Sequence, residues 1–134
     1  MERPSSSPKP RVYRILVIED SLDSVHTTCM LLREMGHIAD YAINGYVALD
    51  IARRFKPDVV LLDIGLPGLN GFEVARQIKA DPELTEVRIV VLTAYDRADY
   101  RERAQQTGCD LFFVKPIAPS ELAGLFGEPS RRAA

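Results

Sequence analysis

Four short, unbroken apolar runs constrain the fold of this chain more than any other feature. They are Ile15-Leu16-Val17-Ile18, Val59-Val60-Leu61-Leu62, Ile89-Val90-Val91-Leu92 and Leu111-Phe112-Phe113-Val114. Each is largely β-branched or aromatic and lacks polar alternation, the pattern of strands covered on both faces in a parallel sheet. A weaker fifth block, Ile38 to Ala42, follows a helix stop at Gly36 and carries Asp40, which a sheet edge would solvate.

Longer segments with helical spacing separate these runs. Leu22, Val25, Cys29 and Leu32 form one apolar face, Val47, Ile51 and Phe55 a second, and Val74, Ala75 and Ile78 a third. Asp96 to Thr107 is a fourth helix, closed by Gly108, whose apolar stripe has only alanines and Tyr100. Pro119 to Phe126 is a short fifth, with Leu122, Leu125 and Phe126 facing inward. A strand-helix unit repeated five times, with right-handed crossovers, gives an α/β doubly wound parallel sheet with helices on both faces.

Composition narrows the function classes. A chain of 134 residues with 46% hydrophobic and 27% charged side chains reads as one soluble domain with a real core. A net charge of −2 supplies no basic field for nucleic acid, and no apolar run is long enough to span a membrane. Cys29 and Cys109 form no CxxC and read as buried thiols; Met1 is followed by no apolar leader. The expectation is a cytoplasmic protein with tails at 1–11 and 127–134 around a folded domain at 12–126.

The strand ends carry the chemistry. In a parallel sheet all C-terminal ends meet one edge, where ligands bind. Here the strong runs stop at Glu19-Asp20, Asp63, Thr93 and Lys115. Polar strand ends meeting solvent would account for one or two of these, not all four. Three clustered carboxylates raise one another's pKa unless a cation sits among them, and an all-oxygen set with few protein ligands suits Mg²⁺. A carboxylate beside Mg²⁺ can attack phosphorus, with the lysine and the hydroxyl as further contacts to phosphoryl oxygens. That composition describes a phospho-aspartate site.

With ILVIED at 15–20, VVLLDIGLPGLNGFEVARQIK at 59–79, IVVLTAY at 89–95 and LFFVKPI at 111–117, the chain resembles the receiver domain of two-component response regulators over nearly all of Val12 to Phe126. The resemblance implies a flavodoxin-like five-stranded sheet in the order 2-1-3-4-5 with five helices. It implies Asp63 as phosphoryl acceptor, and Mg²⁺ held by Asp20 directly, by Glu19 through water, by Asp63 and by the Gly65 carbonyl. Thr93 and Lys115 would bind phosphoryl oxygens, Thr93 and Phe112 would form the switch, and the Lys115-Pro116 bond would be cis. A core phenylalanine in an apolar run needs no function, so both readings of Phe112 stand. The partners implied are a histidine kinase or histidine phosphotransferase, and a downstream protein meeting the face of helix 4, strand 5 and helix 5. Gly65 and Tyr95 would flank the path of hydrolytic water; Gly65 has no side chain to orient one and Tyr95 is bulky enough to cover the approach, which implies slow self-dephosphorylation, with the open space at Gly65 as the opposing effect.

Departures and competitors sharpen this reading. The acid pair is Glu-Asp where many receivers have Asp-Asp. A phosphatase of the haloacid dehalogenase type wants an acid two residues past its nucleophile, where this chain has Gly65, so no turnover enzyme is expected. A flavodoxin would want a Ser/Thr-rich phosphate loop after strand 1, and the segment from Gly65 to Gly71 lacks the spacing of a phosphate-binding loop. Its Pro67-Gly68 reads as a type II turn. His26 reads as a surface residue and His37 as a turn residue. Too few residues follow Phe126 for a helix-turn-helix, so no direct DNA contact is expected. Met1 and the short tails favour a stand-alone regulator. The alternatives are a receiver cut from a hybrid histidine kinase, which the DIGLPG and GFEVAR segments resemble, and a non-phosphorylated interaction module.

Overall fold

The computed structural model describes residues 11–65, 70–94 and 98–126. Side chains set three of its helix starts. Ser21 Oγ accepts from the Ser24 amide at 3.3 Å ahead of α1 (Leu22–Glu34). Asn44 Oδ1 accepts from the Tyr46 and Val47 amides at 2.9 and 3.2 Å ahead of α2 (Gly45–Phe55). Asn70 Oδ1 accepts from the Glu73 amide at 3.0 Å ahead of α3 (Gly71–Ala80). Each bond satisfies an amide that has no partner within its helix. The fourth helix, α4, spans Ala98–Gln106, and the fifth, α5, spans Pro119–Leu125 with proline in its first turn.

Five strands form one parallel sheet: β1 (Arg14–Ile18), β2 (Ile38–Ala42), β3 (Val59–Asp63), β4 (Arg88–Thr93) and β5 (Leu111–Val114), in the order β2-β1-β3-β4-β5. Alternation along the strands builds two cores. Leu16, Ile18, Val60, Leu62 and Ile89 pack under α2 and α3, while Ile15, Val17, Val59, Leu61, Val90 and Leu92 pack under α1 and α5. A smaller cluster of Ile64, Phe72, Val91 and Ala104 joins α3, α4 and the outer strands.

Several packing expectations need correction. Leu22 is 50% exposed, because it sits at the first turn of α1, past the end of the sheet. On α2 the fully buried line is Ala48 and Ala52, and Val47 is 40% exposed; the helix meets the sheet through its smallest residues, with Ile51 and Phe55 on the flank. β5 is half-buried where two-sided cover was expected, since among the described residues it is an edge strand paired only with β4. His37 is more than a turn residue: its buried ring accepts the Tyr13 amide through Nδ1 at 3.1 Å and packs against Tyr13 and Phe126. The Pro67-Gly68 turn and residues 1–10 and 127–134 lie outside the described residues.

Candidate phosphoryl-acceptor site

Backbone pairing carries the functional residues to one rim. Glu19 follows β1 and its amide donates to the Ala42 carbonyl at 3.0 Å, so the ladder continues one residue past the strand. Lys115 follows β5 and its amide donates to the Thr93 carbonyl at 2.7 Å. Asp63 and Thr93 are the last residues of β3 and β4. The Lys115-Pro116 peptide is cis.

Side chains close the constellation. Lys115 Nζ donates to Glu19 Oε1, and to Asp63 Oδ2 at 3.2 Å. The other acceptor oxygen, Asp63 Oδ1, takes the Gly65 amide at 2.9 Å. Carboxylate oxygens of Glu19, Asp20 and Asp63 all lie within 4.8 Å of one another. Asp20 faces solvent, Glu19 is buried, and Asp63 is intermediate.

Electrostatically the cluster is short of positive charge. Burial raises the Glu19 carboxyl above its ordinary value and the nearby Asp63 charge adds to this, against the lowering effect of Lys115. Burial alone would lower the Lys115 ammonium, but its bond to Glu19 and the charge of Asp63 hold it above the ordinary lysine value. Among the described residues, one ammonium, that of Lys115, bonds two of these three carboxylates, and a divalent cation is a partner that would offset the remaining charge. A small, all-oxygen, solvent-open donor set of this kind fits Mg²⁺, which keeps several waters.

Thr93 is buried at the rim. Phe112 lies half-buried on β5 and packs on the cluster of Ile64, Phe72, Val91 and Ala104, with the Arg101 guanidinium carbon 4.6 Å from its ring centre. Tyr95 lies outside the described residues. Two further residues shape the site. Gly71 is one: a Cβ there would stand 2.4 Å from Ile64 Cα, so only glycine lets α3 start against the segment that follows Asp63. Its signal was a glycine in the first turn of a helix. Arg101 is the other, and its contact with Phe112 has no local signal. A cleft between α1 and the β5–α5 junction is lined by Thr27, Thr28, Leu31, Ile117 and Leu122 and opens onto Asp63 and Lys115.

The chain has relatives among known proteins. The chain matches the family model of the response regulator receiver domain over residues 15–126. The polar-differentiation response regulator DivK of Brucella anthropi is 34% identical over 104 residues, 78% of this chain and 85% of that protein. Protein PilH of Pseudomonas aeruginosa is 35% identical over 104 residues, 78% of this chain and 86% of its own length. The structure of the chemotaxis protein CheY4 of Vibrio cholerae superposes with a TM-score of 0.81 over 86% of this chain and 96% of that one, and its 23% identity speaks for the fold alone. The chain belongs to the response regulator receiver domain family.

Proposed function

We propose that this receiver accepts a phosphoryl group on Asp63 from the phosphohistidine of a histidine kinase or histidine phosphotransferase and signals by a change of shape. The observation that carries the proposal is the Asp63 carboxylate, held by the Gly65 amide and by Lys115, with carboxylate oxygens of Glu19 and Asp20 within 4.8 Å. These bonds orient the carboxylate, so little freedom is lost when it reacts. An Asp63 oxygen attacks phosphorus, the phosphorus–nitrogen bond breaks, and the imidazole leaves with its electron pair and takes a proton from solvent. Lys115 and the Thr93 hydroxyl then bind oxygens of the transferred group. Asp20, Asp63 and the Gly65 carbonyl would hold Mg²⁺ directly, with Glu19 acting through water. When bound, the ion offsets negative charge on the phosphoryl group. The cleft beside α1 is the side from which the phosphodonor approaches. Receiver domains are signalling modules and not turnover enzymes, and Gly65 offers no acid for rapid hydrolysis.

Signalling runs from Thr93 to Phe112 and the face of α4, β5 and α5, where a downstream protein binds. The phosphoryl group adds roughly −1.5 to −2 charge. Swinging a 1:99 population to 99:1 requires the two shapes to differ in phosphoryl affinity by about 5.5 kcal/mol.

Incubation with Mg²⁺ and phosphoramidate, followed by intact mass, tests the assignment. The wild type gains one phosphoryl group and Asp63→Asn gains none. Complete phosphorylation of Asp63→Asn at another residue would overturn it.

A further inference from the structure

Helix α4 has almost no aliphatic surface to bury. Of its nine residues, ADYRERAQQ, only Ala104 is buried. The helix is docked through guanidinium groups and rings. Arg103 Cζ lies 4.2 Å from the centre of the Phe72 ring, and Tyr100 meets the same ring edge-on at 5.9 Å. On the other flank, Arg101 Cζ lies 4.6 Å from the centre of the Phe112 ring. Arg101 and Gln105, four residues apart and so on one side of the helix, line the cleft shared with β5. α4 therefore grips α3 through one arginine and β5 through another.

Register connects the second grip to the rim. Phe112 pairs with Val91 and Val114 pairs with Thr93 across β4 and β5. Val91 and Thr93 are two residues apart on β4, so Thr93 and Phe112 share one face of the sheet. That is the face on which Val91, Phe112 and Ala104 of α4 pack together. Thr93 and Phe112 thus lie diagonally across β4 and β5 on the face that Ala104 of α4 covers, and Arg101 meets the Phe112 ring.

We infer that Arg101 is a positioning residue for the switch: its guanidinium ties the Phe112 ring to α4, so that ring and helix move as one unit. The inference rests on the proposed switch role of Phe112. A cation over an aromatic face at an exposed site shifts an equilibrium about two- to fivefold. That is enough to bias a helix with a single buried residue. Arg103 makes the same kind of contact with Phe72, away from β5, and serves as the control for docking alone.

A double-variant cycle in the full chain tests the tie. Amide hydrogen exchange over residues 101–106 is compared in wild type, Arg101→Met, Phe112→Leu and the combined variant. Each single change should speed exchange about two- to fivefold, the combination should add little beyond either, and Arg101→Lys should recover part of the protection. Additive effects, or unchanged exchange, would overturn the inference. The second readout is NMR of the Phe112 ring and the α4 amides on adding beryllofluoride with Mg²⁺. Wild type and Arg103→Met should shift both sets of signals, whereas Arg101→Met should shift the ring alone. Equal α4 shifts in Arg101→Met would also overturn it. If beryllofluoride binds the wild type without moving the ring, the switch role of Phe112 fails, and the exchange cycle by itself then decides the tie.

Discussion

Asp63 is approached from both sides, by the Gly65 amide on Oδ1 and by Lys115 on Oδ2. The position of Gly65 makes the lifetime of a phosphoryl group testable with one side chain. A Cβ at residue 65 would lie 3.6 Å from Asp63 Oδ1, an ordinary contact, so a side chain can begin there without displacing that carboxylate. Gly65→Asn would place an amide where it can orient a water, and positioned groups of this kind contribute about 10²–10⁴ in rate. Phosphoryl loss followed by intact mass should be faster in Gly65→Asn, at or below the low end of that range, since an amide orients water without taking its proton. His37 presents a second single-residue case. Burial lowers its pKa below the ordinary 6.5, and protonating Nδ1 would break the bond from the Tyr13 amide. Above the ordinary value both folded and unfolded chains hold the ring neutral. Below it the unfolded chain binds a proton first, so stability is lost as pH falls from about 6.5 through the folded-state value. Urea midpoints at high and low pH should show this loss in wild type, and His37→Asn, which keeps an acceptor without a titrating ring, should reduce it.

Among the helices, docking strength follows what each can bury. α3 buries Gly71, Phe72, Val74, Ala75 and Ile78, and α1 buries Val25, Cys29 and Leu32. α4 buries Ala104 alone. Local opening free energy follows such contacts, so native-state hydrogen exchange should rank α4 well below α1 and α3 in protection. Equal protection of α4 and α3 would contradict the ranking. A weakly docked element on the proposed output face is the kind that a small bias can move. The edge position of β5 has the same effect, because Phe112 is covered by α4 on one side and, among the described residues, by no further strand beyond it.

At the scale of the whole molecule, the rim is a store of like charge that the fold has to tolerate. Glu19, Asp20 and Asp63 repel one another, and Lys115 offsets only part of that repulsion. Any cation that binds the folded rim and not the unfolded chain stabilises the fold by mass action. Mg²⁺ should therefore raise the melting temperature of the wild type. Asp20→Asn should shrink the rise more than Glu19→Gln, because Asp20 is open to solvent while Glu19 is buried against Lys115. An equal rise in the wild type and in the double variant, followed by differential scanning calorimetry, would contradict the site. No helix among the described residues is long and apolar enough to cross a membrane.

What the sequence determined by itself was periodic or terminal in character. Apolar runs such as Val59 to Leu62 and spacings such as Val74 to Ile78 are local patterns, and they identify strands and helices because side-chain direction repeats every two residues or every three to four. The common direction of parallel strands then places Glu19, Asp63, Thr93 and Lys115 on one edge without any coordinates. Tertiary structure alone decided how these groups meet. Lys115 spans to Glu19 and Asp63 because the ladder extends one residue past β1 and past β5, and that depends on pairing between segments far apart in the chain. The exposure of Leu22 and Val47, the half-buried face of β5, the enclosure of His37 and the stacking of Arg101 on Phe112 share the same origin. Each depends on where a helix sits across the sheet and where the sheet ends, and those are set by packing among distant elements, which no local pattern encodes.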